Sequence, residues 1–494
     1  MKKRLLALGV ATALGMSAGV ASAMQTEPSG IGMYNILPYY SVQSGNNTLI
    51  QITNTDEVNG KAVKVRFRGA EWSDDVFDFT LFLSPGDVWT GAVTVNGLVA
   101  HMDTVDNSCT LPANINQDFV TFRAALSEDS NAATREGYVE VITMADIPPT
   151  VGGDPEEDLY DTILHHNGEA ACDSGVLTAL TEDSANVAAD QGMENPTPAL
   201  TSYAIVINVP KSKAFAQAAI AVNPDSVNNK IYYMQKNVEI NPADLAELQA
   251  LTADRIFAAQ GAPDNGVGLQ MYQFDLPDLT TPVEGGTAIA QRDSLTDALS
   301  ENGDAVVEYV TDSAIDATTD VVFTQPTRRF FYNYIENADG AYELNGWTFD
   351  IEGDAGSVYD SLDGVSNRIA VGNPTFYDRE EGKLVGEDDI VISPTPPNVA
   401  LTFSLKGEAS VISINNGAIP TGSLAASLTA NNYETNLEAP DGWAILSTTT
   451  TSGTVGPLPI VGFTAINILN NAVGAAGTNY GMVLPLRQRE YVAP

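Results

Sequence analysis

Lys61-Ala62-Val63-Lys64-Val65-Arg66-Phe67-Arg68, followed by Phe77-Asp78-Phe79-Thr80-Leu81-Phe82-Leu83, decides the fold. Successive side chains of an extended chain point to opposite faces. One face of the first run therefore carries Val63, Val65 and Phe67, and the other carries Lys64, Arg66 and Arg68. In the second run Phe77, Phe79, Leu81 and Leu83 share a face. Ser84-Pro85-Gly86-Asp87 reads as a turn, after which Val88-Trp89-Thr90 resumes extended chain. Upstream, Thr48-Leu49-Ile50-Gln51-Ile52-Thr53-Asn54-Thr55 adds a strand, and the stretches 138–143 and 202–209 are expected to complete the sheets. Short strands at close spacing joined by Asn, Gly and Pro predict a mainly β protein that begins with an Ig-like β-sandwich.

Farther along, Asn241-Pro242-Ala243-Asp244 leads into Leu245, Leu248, Leu251 and Ile256, with Asn241 as N-cap, Pro242 at the tolerated first position and Gly261 as the stop. A shorter helix is expected over 294–299, ending at Asn302-Gly303. A second β-rich part starts near Ala305. Its strand candidates are 321–324 continuing bent at Pro326 into Arg329-Phe330-Phe331-Tyr332, then 399–405, 410–414, 443–447 and 460–469. The predicted organisation is a leader at 1–23, an N-terminal β-sandwich at 24–240, a helical bridge at 241–303 and a C-terminal β-rich sandwich region at 304–494.

Met1-Lys2-Lys3-Arg4, the apolar run from Leu5 to Val20 and the small residues Ala21-Ser22-Ala23 read as a cleavable export signal. No second stretch is long and apolar enough to span a membrane as a helix. The protein is expected at the cell surface or outside the cell. The chain has 23 Lys and Arg against 63 Asp and Glu, a net charge of −40. Without a leader carrying three bases, 20 bases face 63 acids, a net of −43. Such a surface repels nucleic acid and anionic headgroups. Acidity alone keeps a secreted protein soluble. It also invites Ca²⁺, which takes carboxylate and carbonyl oxygens.

The most calcium-like run is Asp350-Ile351-Glu352-Gly353-Asp354, with acids at positions one, three and five of a loop. Ala355 stands where an EF-hand turn needs glycine and Ser361 where it needs a bidentate Glu, so an irregular site joined by Asp360 and Asp363 competes with a solvated loop. Cys109 and Cys172, an even pair in an exported chain, predict a disulfide closing an insertion at one edge of the first sandwich.

Catalytic patterns are weak. Gly364-Val365-Ser366-Asn367-Arg368 lacks the second glycine of a nucleophile elbow, and only His101, His165 and His166 could serve a triad or a metal. With so many acids, no carboxylate pair stands out for glycoside cleavage. Lys64, Arg66 and Arg68 are conspicuous because bases are scarce. They either dock an acidic face of a neighbouring copy or pair internally with Glu71, Asp74 or Asp75.

The runs 49–56, 60–68 and 83–89, with Asp320-Val321-Val322-Phe323-Thr324-Gln325-Pro326-Thr327-Arg328-Arg329-Phe330, resemble a group of secreted proteobacterial cell surface proteins. That resemblance implies a surface-layer-like structural role and transfers no catalytic residue. The expected function is a non-enzymatic coat or extracellular-matrix protein that self-associates through its β regions, stabilised by Ca²⁺. The alternatives are an adhesin stacking sugars on Trp72, Trp347, Tyr359 or Tyr377, and a carboxylate-dependent secreted hydrolase.

Overall fold

Alternation translates into sheets throughout. The computed structural model describes residues 23–489 apart from 125–126, 128, 151–153, 155–157, 182–187, 189, 241–244, 255–270, 301–302, 336–347, 352–361, 364–366, 385–403, 416–421, 436, 450–456 and 471–477. The protein is mainly β with several sheets.

The strands of the first half fall into two antiparallel sheets whose members interleave along the chain. The seven-stranded sheet runs Met24–Thr26, Ile220–Pro224, Tyr34–Ser41, Glu136–Ile147, Gly60–Gly69, Asp75–Leu83 and Cys109–Leu111. The five-stranded sheet runs Lys213–Ala218, Leu200–Asn208, Asn47–Asn54, Val88–Asn96 and Val99–Asp103. Val63, Val65, Phe67, Phe79 and Leu81 from the larger sheet share one buried core with Ile50, Ile52, Trp89 and Val93 from the smaller. Register is held tightly here. A Cβ on Gly137 would lie 1.7 Å from the Arg68 carbonyl oxygen, so only glycine lets the Glu136–Ile147 strand close on its neighbour at that point.

In the second half, one five-stranded sheet places Thr318–Thr324 at its centre between Ala409–Asn415 and Val461–Asn470. Another carries Asp304–Val310 between Asp441–Leu446 and Arg487–Arg489. Their shared core includes Val321, Phe323, Ile412, Ile414, Val307, Phe376 and Leu446. The strand expected to bend at Pro326 ends instead at Thr324, and Arg328–Phe331 is a 3₁₀ turn leading to a new strand at Tyr332–Ile335. Proline cannot donate to the ladder of a central strand, so the strand stops before it.

The stretch read as a helical bridge contains helices at Leu245–Leu251 and Ala288–Ser300. Asn241, Pro242 and Gly261 lie outside the described residues. The second helix lies against the first strand, where the Met24 backbone N–H donates to Ser294 Oγ at 2.7 Å, and it buries Ala288, Leu295 and Leu299. Described residues between the helices cross the outer face of the seven-stranded sheet and cover it.

The two halves meet in shared cores. Tyr39, Val206 and Phe215 pack with Val322, Val411, Leu424 and Phe463. A polar seam runs beside them. Arg329 donates from Nη1 to Asp74 Oδ1 at 2.9 Å and from Nε to Asp254 Oδ2 at 2.6 Å. Arg328 Nη1 donates to the Gly407 carbonyl at 2.6 Å.

Candidate functional site

The basic strand face is not available to a second copy, which corrects the docking expectation for Lys64, Arg66 and Arg68. All three are buried. In register, Arg66 lies opposite Glu140 on one neighbouring strand and Asp78 on the other. Cross-strand opposite charges stabilise a sheet locally. Arg66 Nε donates to Asp75 Oδ2 at 3.0 Å, Lys64 Nζ to Asp78 Oδ1 at 2.9 Å, and Arg68 Nε lies 3.2 Å from Glu140 Oε1. The chain itself covers the face. Lys64 donates to Gln235 and the Phe274 carbonyl, and Arg66 to the carbonyls of Phe274 and Pro277. Of the internal partners expected, Asp75 takes Arg66, Asp74 takes Arg329 and Glu71 takes Lys406.

Burial sets the electrostatics of this network. It pushes Asp75 up to about 7, with the nearby Asp78 adding to the rise, and Asp74 up to about 6 against the pull of Arg329. Burial acts on Asp78 in the same direction, but Lys64 and Arg66 beside it hold its carboxyl below the ordinary range. Lys64 is lowered by its own burial. Such pairs seldom stabilise a fold more than apolar packing would, yet losing one member is costly.

Cys109 and Cys172 form the expected disulfide, with Cα atoms 5.3 Å apart. It ties the edge strand Cys109–Leu111 to a short hairpin and helix excursion. Asp350 sits on the strand Thr348–Ile351 opposite Asn333, and Asp363 on Leu362–Asp363 opposite Arg368. Glu352, Asp354, Asp360, Trp347 and Tyr359 lie outside the described residues. Among the described residues, no group of three or more His, Cys, Asp or Glu is placed to hold a metal ion. The histidines are dispersed: His101 Nδ1 lies 2.5 Å from Asp118, and His165 Nδ1 lies 3.4 Å from Ser84 Oγ. Trp72 is buried against Tyr332, while Tyr377 stacks on Trp443 with centroids 4.4 Å apart.

A groove opens on the outer face of the five-stranded sheet of the first half. It encloses about 500 Å³ and is lined by Leu49, Ala92, Val105, Tyr203 and Ile205 among others. Leu49 and Tyr203 are each 40% exposed and Val105 is 97% exposed. Register explains the stripe: Ala216, Ile205, Leu49 and Ala92 stand in one row across four strands, which Asp103 closes at the edge. In the next row the Tyr203 hydroxyl donates to Gln51 Oε1 at 2.7 Å. Among the described lining residues Asp103 carries the one carboxylate, and the Asp106 carboxylate beside it accepts from the Thr90 backbone N–H at 3.0 Å. No protein-family model, curated protein or solved structure matches this chain.

The groove was readable in part, since Tyr203 and Ile205 share a face of a run that is apolar on both faces, while Leu49 shares its face with Gln51 and Thr53. Which of them share a row depends on strand order.

Proposed function

We propose that the protein is a secreted structural protein of the cell surface or extracellular matrix, surface-layer-like, and not an enzyme. In this reading each half is an Ig-like β-sandwich, and copies self-associate through the outer face of the five-stranded sheet. One observation carries it: a chain of net charge −40 keeps open on its surface an apolar groove whose described lining holds one carboxylate, Asp103. Two such polyanions repel wherever acidic surfaces face each other, so a sparsely charged face is where a second copy approaches at least cost. Five strands about 4.8 Å apart and eight residues long offer roughly 500 Å². That is below the roughly 800 Å² per partner of a stable pair. Single contacts of this size are weak, and an array gains strength by repeating them. The cationic, then apolar, then Ala21-Ser22-Ala23 start supports export, and Ca²⁺ screening of the carboxylates supports close packing of copies.

Light scattering and negative-stain microscopy of the purified chain, with and without Ca²⁺, test this. Assembly is expected to strengthen with Ca²⁺ and to be lost in Leu49→Asp and Tyr203→Asp, both exposed positions. A strict monomer under both conditions, or assembly indifferent to both substitutions, refutes it.

A further inference from the structure

A second cleft, of about 430 Å³, opens beside the buried ion pairs. Its lining brings Phe77, Phe122, Tyr272 and Phe274 together with the carboxyl groups of Asp75 and Asp78. Phe122 is 52% exposed and offers a bare ring to solvent. The other rings are fixed in place. Tyr272 and Phe274 stack with centroids 5.0 Å apart, and the Arg123 guanidinium lies over them at 5.6 and 5.4 Å. Phe77 stacks on Phe119 at 4.8 Å.

Among the carboxylates of this lining, Asp75 keeps one oxygen without a protein hydrogen bond. Asp75 is 3% exposed, its Oδ2 accepts from Arg66, and its Oδ1 has no hydrogen bond. Buried polar atoms in native proteins are nearly always paired, so the unpaired oxygen of a residue that lines the cleft is a candidate acceptor for a ligand hydroxyl. The buried charges around it are paired: Asp75 faces Arg66, Asp78 faces Lys64 and Arg123 faces Asp275, while Asp118, half-exposed on the lining, lies beside His101. An anion entering here meets the carboxylates, and a cation meets Arg66, Lys64 and Arg123. A neutral molecule with hydroxyl donors and an apolar face meets neither penalty.

We propose that this cleft binds a neutral carbohydrate, the C–H face of one sugar ring lying on Phe122 and a ring hydroxyl donating to Asp75 Oδ1. Aromatic rings beside carboxylate and amide groups suit sugars because the ring buries C–H surface while the polar groups satisfy hydroxyls. Gln117 and Asn237 supply amides on the same lining. The site shares no residue with the proposed self-association face, so either can fail alone.

Calorimetric titration of the full chain with cellotetraose, chitotetraose and maltotetraose tests the proposal, with trigalacturonate and spermidine as charged comparators. At least one neutral tetrasaccharide is expected to bind. Phe122→Ala and Asp75→Asn are each expected to weaken that binding roughly tenfold or more, the loss of one stacking contact or one charge-assisted hydrogen bond. Phe122 is surface-exposed, so its alanine variant keeps the fold even where Asp75→Asn, which disturbs Arg66, does not. The proposal is overturned if none of the three neutral sugars binds, if only a charged comparator binds, or if Phe122→Ala binds as well as the parent.

Discussion

Replacing Arg329 by methionine puts the polar seam between the halves to the test. Arg329 is fully buried and donates to Asp254, to Asp74 and, at 2.6 Å, to the Trp72 carbonyl. Methionine restores much of the aliphatic volume but none of the donors, leaving two carboxylates in a dry interior. Removing one side of a buried ion pair costs about 3–5 kcal/mol. The cost depends on pH in a defined direction. Burial already pushes Asp74 up to about 6, and Arg329 is the chief opposing influence. Without the guanidinium Asp74 takes a proton at higher pH, and a neutral carboxyl no longer needs a counter-charge. The loss is therefore full at pH 8 and much reduced at pH 5. Urea unfolding followed by tryptophan fluorescence reads it out, since Trp72 packs on Tyr332 within the seam. The urea slope of a chain this long exceeds the roughly 1–3 kcal/mol per molar of small proteins, so the midpoint is expected to fall by about 1 M at pH 8. Adding Asp74→Asn and Asp254→Asn to the variant is expected to recover most of the loss. A loss under about 1 kcal/mol at pH 8, or an equal loss at both pH values, refutes the reasoning.

Three further outcomes follow from the same structure. Cys109→Ser with Cys172→Ser opens a loop spanning 63 residues and is expected to lower stability by about 4 kcal/mol, measured by urea unfolding against the oxidised parent. Burial raises Asp74 to about 6, Asp75 and Glu136 to about 7, and Glu408 to about 8. The folded state then binds more protons than the unfolded state above pH 4, so stability falls as pH rises from 5 to 7.5, and a higher urea midpoint at pH 7.5 than at pH 5 contradicts this. Gly137→Ala forces a Cβ into the Arg68 carbonyl and is expected to cost several kcal/mol or abolish folding, readable as loss of soluble yield and of the thermal transition.

Much of the sheet framework was legible because a buried strand writes its faces into alternate residues. Val63, Val65 and Phe67 fell on the core face as expected, and the helix expected at 294–299 lies within Ala288–Ser300. Alternation does not say what covers the opposite face. Lys64, Arg66 and Arg68 look like surface residues until Glu140, Gln235 and Phe274, all remote in sequence, are seen to close over them. Arg329 misled in another way, since Arg329-Phe330-Phe331-Tyr332 reads as strand while Arg328–Phe331 forms a buried turn. The disulfide needed only a count of two cysteines in a chain whose start reads as an export signal. The groove on the outer sheet face and the aromatic cleft depend on register and on loop closure, which no local pattern encodes.

The interior burial of cations has a consequence for proteolysis. Lys61, Lys64, Arg66, Arg68, Arg123, Lys213, Arg292, Arg328 and Arg329 are all buried, nine of only 23 Lys and Arg in the chain. Trypsin-like enzymes need such a side chain in an accessible, locally unfolded segment. The folded protein therefore offers them few places to cut, whereas glutamate-specific enzymes find carboxylates over much of its exterior, and a digest with each reports how much of that protection comes from hiding the bases.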